Sequence, residues 1–187
     1  MFLNKSRLMQ MNVSGEWIPV VDEEGKTISA APRSVCHDGK SKLLHPVVHF
    51  HLFNEKGDLF LQKRALTKDL LPGFWDTSAG GHMDPGENVD DALRREVLEE
   101  LGISIFRYDL NLRYIWESPV EKELVYSFKG SSNEPPVINR DEIDDGRFWP
   151  TEEIISNLGR GIFTPNFEHE FTLIMKEFIN YGNINSI

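Results

Sequence analysis

Apolar and polar positions along the chain repeat with two different periods, and the switch between them divides the sequence into elements. In HPVVHFHLFNEKGDLFLQKRA (residues 45 to 65), apolar stretches flank Glu55-Lys56-Gly57, and Leu59, Leu61 and Lys63 alternate with Phe60 and Gln62. This predicts strand, turn, strand. EWIPVVDEEGKTISA (16 to 30) predicts a shorter hairpin around Asp22-Glu23-Glu24-Gly25. Residues 107 to 118 and 123 to 130 predict two more strands, and RFWP (147 to 150) a short one stopped by Pro150. Loops are expected over the polar stretch 31 to 42, with room for a helical turn, and over the Gly/Pro-rich stretch 66 to 87, with short extended pieces. A third loop is expected over 131 to 146, which carries Asp141, Glu142, Asp144 and Asp145.

The period changes after residue 88. Val89, Leu93, Val97 and Leu101 recur every four residues, which predicts a helix with one buried stripe. Asn88 suits its N-cap, Asp90 and Asp91 suit the positive end of its dipole, and Gly102 suits the left-handed stop. Thr151-Glu152-Glu153 starts another helix, and residues 166 to 180 predict a last amphipathic one. Strands and helices mix without strict alternation. The expected class is therefore α+β, a mixed-sheet sandwich rather than a doubly wound parallel sheet.

Composition narrows the function. With 187 residues, 40 % of them hydrophobic, the chain can bury a sizeable core. A formal net charge of -10 argues against binding nucleic-acid polymers or anionic membranes, both of which need a basic surface, and fits a protein that holds cations. The single cysteine, Cys36, forbids an intrachain disulfide and points to a reducing compartment. No signal peptide or membrane-length apolar run is legible, so the cytoplasm is the expected location. Met1, Met9 and Met11 are alternative starts.

Candidate chemistry sits on the strongest helix. At 3.6 residues per turn, Glu96, Glu99 and Glu100 fall within an arc of about 100° beside the apolar stripe. Like charges that close repel by a few tenths of about 1 kcal/mol per pair in water. A hard divalent cation such as Mg²⁺ or Mn²⁺ reverses that sign and bridges to phosphate. Arg95 is expected to reach back to Glu87 and pin the Gly-rich loop, apart from the other three glutamates. REVLEELG alone is an ordinary solvated helix; the spacing around it changes the odds.

Gly81, five residues, Glu87, seven residues, then Arg95-Glu96-Val97-x-Glu99-Glu100-x-Gly102-Ile103 resembles the Nudix box without departure. The resemblance implies a Nudix α/β/α sandwich, a mixed sheet between helices, over residues 16 to 187, following an N-terminal extension, 1 to 15. It also implies metal-dependent hydrolysis of a nucleoside diphosphate linked to another group. Glu96, Glu99 and Glu100, with the carbonyl of Gly81, would hold Mg²⁺ or Mn²⁺, which lowers the pKa of the attacking water. The general base is left open among Glu99, Glu100, Glu121, Glu123 and Glu142. A homodimer would be in keeping with many relatives.

The flanks narrow the likeness. KRALTKDLLPGFWDTSAGGH (63 to 82) is similar to isopentenyl diphosphate isomerases and the hydrolases near them. That similarity implies diphosphate contacts at Arg64 and Lys68. It also implies a second metal site of three histidines and two glutamates, here His37, His45, His82, Glu121 and Glu123, suited to Mn²⁺, Zn²⁺ or Fe²⁺. The alternative is that His45, His49 and His51 are ordinary strand and surface residues and the two glutamates a solvated face. The main departure is Gly80, where the isomerases carry their catalytic cysteine. Hydrolysis is therefore expected ahead of isomerisation, with a non-catalytic diphosphate or nucleotide sensor as third reading. Trp75, Phe74, Tyr114, Trp116 and Phe163 are expected mostly in the core.

Overall fold

The structure, a computed structural model, describes the backbone of residues 15–184 and the side chains of residues 15–176. The expected extension, 1 to 15, lies outside the described residues except for Gly15. Among the described residues, nine strands run in the order β1 (Trp17–Val21), β2 (Thr27–Pro32), β3 (Leu44–Leu52), β4 (Leu59–Arg64), β5 (Trp75–Asp76), β6 (Ala79–His82), β7 (Arg107–Glu117), β8 (Lys122–Ser131) and β9 (Ile143–Trp149). The helices are α1 (Arg33–Cys36), α2 (Val89–Leu101), α3 (Thr151–Asn157) and α4 (Pro165–Ile184).

The strands form three sheets, with β1 and β2 making a separate hairpin. A four-stranded sheet has the order β6-β3-β8-β7, in which β3 and β8 are parallel and the other pairs antiparallel. A three-stranded antiparallel sheet has the order β5-β4-β9. β3 and β4 are consecutive and bridged at Phe53–Leu59, just past the end of β3, yet they belong to different sheets. β9 begins at Ile143, four residues earlier than the RFWP motif suggested, because its pairing with β4 extends back to Arg64.

Alternation along β4 shows how the layers stack. Phe60 joins the core under α2 with Val48, Phe50, Leu93, Val97 and Leu101. Leu59 and Leu61 point the other way, to Ile154 of α3 and Phe167 and Phe171 of α4. Strands therefore lie between helices, the α/β/α arrangement. Each fully buried Leu or Phe contributes about 1.5–3 kcal/mol to this packing. Phe163 is buried there and Trp75 packs beside it, as expected of core aromatics.

The ends of α2 follow its sequence signals. The Asn88 side chain accepts from the Asp91 N–H at 3.0 Å, and Gly102 closes the helix with φ 65°. The expected stripe is buried, Leu93, Val97 and Leu101 fully and Val89 in part.

Candidate functional site

A cavity of about 750 Å³ opens between α2, β6, the 68–71 loop, the β7–β8 turn and the start of α4. The short strand β6 organises it. Its residues alternate, so Gly81 faces α2 while Gly80 and His82 face the side covered by α4. A Cβ on Gly81 would collide with the Glu96 carboxylate, so glycine is what lets that carboxylate approach the strand.

The glutamates of α2 have unlike environments. Glu100 is buried at 5 % exposure, and its Oε2 accepts from Gln62 Nε2 at 2.8 Å and from the Gly80 N–H at 2.9 Å. Burial, then the neighbouring Glu96, pushes its carboxyl up to about 8. Glu96 is pushed up to about 7 by burial, against the pull of Arg95. Glu99 is more open, with its side chain 54 % exposed. A buried and a partly buried carboxylate facing one cavity resist ionising together unless a cation joins them.

Arg95 does more than pin the loop. It donates to both carboxylate oxygens of Glu87 at 2.9 Å and to the His82 carbonyl at 2.9 Å, and also reaches Glu96 at 2.7 Å and Glu99 at 3.2 Å. The expectation that Glu87 and Arg95 stand apart from the other glutamates is therefore corrected. The planar guanidinium has enough donors to serve all four partners.

On the other face of β6, His82, His37 and His45 converge, with ring centroids 5.0 to 5.3 Å apart. His37 Nε2 lies 3.1 Å from His82 Nε2 and 3.4 Å from a Glu121 oxygen. Glu123 stands directly across from His45 in the parallel β3–β8 register. The ligand atoms of His37, His45 and His82, and likewise those of His45, Glu121 and Glu123, fall within 4.8 Å of one another. His45 is fully buried with Nε2 unpaired among the described residues, while Nδ1 bonds the Leu43 carbonyl at 2.9 Å. Burial lowers all three histidines, His37 to about 4, and raises Glu123 to about 8. Neutral imidazoles are the form that binds a transition metal, while Glu123 gives up a proton when a cation joins the cluster. The reading of His45 and His51 as surface residues is corrected, since both are fully buried, and Glu123 is not a solvated face at 9 % exposure.

Basic groups stand at the mouth. Arg64 donates to Asp76 at 3.1 Å and to the Leu70 carbonyl at 3.1 Å. Lys68 Nζ contacts Glu142 at 2.7 Å, so Glu142 is paired rather than merely solvated in its loop. Several cavity residues carry no signal in the sequence. Gln62 reads only as a polar position in an alternating strand, yet it holds Glu100. Asn166 lines the cavity, donates to Glu123 at 2.9 Å and accepts from the Tyr114 hydroxyl at 2.8 Å, so Tyr114 carries a hydrogen bond to a cavity residue. Trp116 lines the cavity and packs on His169, ring centroids 5.2 Å apart.

Comparison with known proteins agrees with this geometry. The NUDIX domain family model matches residues 43–168. The chain is 36 % identical over 149 residues to an uncharacterized Nudix hydrolase of Listeria monocytogenes, covering 77 % of this chain and 82 % of that one. It is 31 % identical over 155 residues to the isopentenyl-diphosphate Delta-isomerase of Mycolicibacterium vanbaalenii, covering 78 % and 83 %. In fold it is similar to the DR0079 protein of Deinococcus radiodurans, with a TM-score of 0.70 at 22 % identity over 86 % of this chain and 98 % of that one. An intact box set against a cavity, a family match over residues 43–168 and the likeness to the Listeria relative lead to one conclusion: the chain belongs to the Nudix family.

Proposed function

We propose that this protein hydrolyses a diphosphate linkage in a nucleotide-type substrate with Mg²⁺ or Mn²⁺. The observation that carries the reading is the pair of carboxylates, buried Glu100 and partly buried Glu96, on one cavity wall with Glu99 beside them and the Gly81 backbone against Glu96. All-oxygen donors that resist joint ionisation fit a hard divalent cation. Glu96, Glu99 and Glu100, helped by the Gly81 carbonyl, would hold it. When bound, the metal neutralises the diphosphate and acidifies water.

The chain's own groups complete the chemistry. Arg64 and Lys68 bind and orient the diphosphate, Arg64 being held in place by Asp76 and the Leu70 carbonyl. An arriving diphosphate competes with Glu142 for Lys68 and so frees that carboxylate inside the cavity. Glu142 is then a base candidate beside Glu99 and Glu100. Glu100 already accepts two hydrogen bonds on Oε2, which favours a holding role over proton transfer. Glu87 and Arg95 are structural: they fix the loop that ends β6. The test is a screen of nucleoside di- and triphosphates, sugar nucleotides and dinucleotide cofactors with Mg²⁺ or Mn²⁺, run beside Glu99→Gln and Glu100→Gln. Both variants should be folded and inactive. Wild-type rates in both would overturn the reading.

A second reading has one specific observation in its favour. His37, His45, His82, Glu121 and Glu123 converge, as they would for a second metal in an isomerase-like enzyme. Their mixed nitrogen and oxygen donors suit Mn²⁺, Zn²⁺ or Fe²⁺. Gly80 opposes isomerisation: it supplies no thiol to move an allylic proton, and Cys36 is buried among Ile18, Val20 and Ala31 rather than lining the cavity. Incubation with isopentenyl diphosphate should yield no dimethylallyl diphosphate; its appearance would favour the isomerase. A sensor on the same fold would instead bind metal and diphosphate without turning over any compound in the screen.

A further inference from the structure

Gly80 has no side chain, and the His49 imidazole lies over the position one would take. Gly80 pairs with His49 across the β3–β6 ladder, so both face the α4 side of the sheet. A Cβ on Gly80 would lie 2.9 Å from the Val48 carbonyl oxygen and 3.0 Å from His49 Cδ2. The imidazole therefore covers the space that a side chain at residue 80 would need. Nδ1 of the same ring donates to Glu170 Oε2 at 2.7 Å. Glu170 is fully buried on α4, and its other oxygen stands 2.9 Å from His51 Nε2. Because Cδ2 is bonded to Nε2 and both lie on the ring edge opposite Nδ1, the edge beside Gly80 carries the free nitrogen. His49 lines the cavity, and so do Gly80, Asp76 and Glu123.

We infer that His49, oriented by Glu170, is a substrate-binding residue whose Nε2–H, on the ring edge packed beside Gly80, donates to a diphosphate oxygen at the floor of the cavity. Glu170 is then a positioning residue. It fixes the ring through Nδ1 and, as an unprotonated carboxylate, keeps the imidazole a cation. Burial disfavours the charge on His49, but Glu170 outweighs burial and the ring is pushed up to about 9. A pre-oriented imidazolium supplies a charge-assisted hydrogen bond without reorganisation when the substrate arrives. This inference rests on the reading of the cavity as a diphosphate site.

Methylenediphosphonate, a diphosphate that cannot be hydrolysed, separates the two claims. Its affinity for the full chain with Mg²⁺ is measured by calorimetry for wild type, His49→Asn, His49→Gln and Glu170→Gln. Asn places an amide near Nδ1, so it can keep the bond to Glu170 while losing the donor; Gln places one near Nε2 and does the reverse. His49→Asn should bind at least about tenfold more weakly, the loss expected of one charged hydrogen bond. His49→Gln should fall between it and wild type, and Glu170→Gln should also weaken binding. The His49 Nε2 resonance of the ¹⁵N-labelled wild type should move on titration, a readout that does not depend on any variant folding. Wild-type affinity in His49→Asn, or a His49 resonance that stays fixed while the protein saturates, overturns the inference but leaves the diphosphate site standing. If the wild type does not bind the probe, both fall together.

Discussion

Gln62 on β4 donates to Glu100 on α2 at 2.8 Å, and with the Gly80 N–H it holds one oxygen of the most buried carboxylate of the box. Thirty-eight residues separate the two, and the contact ties the three-stranded sheet to the helix carrying the candidate ligands. Gln62→Leu keeps the size of the side chain and removes the donor. Mg²⁺ or Mn²⁺ affinity should fall about 10-fold or more, as it does when the partner of a ligand is lost. The fold should survive. Calorimetric titration of the metal, with far-UV circular dichroism as control, checks this.

Gly81 should not tolerate alanine. The added methyl would displace the Glu96 carboxylate while pointing into a cavity rather than a packed core. Gly81→Ala should therefore lose metal affinity and turnover with a stability change of less than about 1.5 kcal/mol. Loss of both affinity and fold would show that the glycine is needed for the strand instead.

Arg95 carries several bonds on one partly buried guanidinium. Arg95→Ala leaves Glu87 and Glu96 without their shared counter-charge, and unfolding in urea should show a loss of about 2 kcal/mol, below the figure for fully buried pairs because the side chain is 26 % exposed. Arg95→Lys should recover little of that, since a single ammonium cannot reproduce the fork to Glu87.

Stability without metal should decline as pH rises from about 6.5 to 8. Glu100 and Glu123, each raised to about 8, keep protons that the unfolded chain has already lost above its ordinary value of 4.5. His49, raised to about 9, keeps a proton that the unfolded chain loses above 6.5. In this window the folded state binds more protons than the unfolded one, so unfolding free energy falls with pH. Lowered histidines such as His37, at about 4, act below the window and in the opposite direction. A cation needs the ionised carboxylates, so stabilisation by Mn²⁺ should grow over the same range. Melting temperatures with EDTA and with Mn²⁺, between pH 6 and 9, test both trends.

The histidine cluster predicts a count. Removing an imidazole by His82→Ala should lower the number of tightly bound Mn²⁺ or Zn²⁺ ions by one without removing the ion at the α2 glutamates. Metal analysis of the dialysed protein reads this directly, and an unchanged count would sink the second site.

What the sequence determined by itself was local. Periodicity, the Asn88 cap and the Gly102 stop delimited α2, and the box spacing placed Glu96, Glu99 and Glu100 on one arc, because a helix converts sequence spacing into geometry directly. The resemblance around Gly80 added the most informative single position. Three things were decided only by tertiary structure. His37 and His45 have a loose spacing, and it took the fold of the segment after β2 to bring their rings to 5.3 Å. Arg95 proved to serve Glu96 and Glu99 as well as Glu87, because a long flexible side chain chooses among partners that folding brings near. Glu170, an ordinary position in an amphipathic helix, became the partner of His49 across 121 residues once α4 packed over the sheet. Contacts of that kind depend on which faces meet, and the order of residues along the chain does not encode it locally.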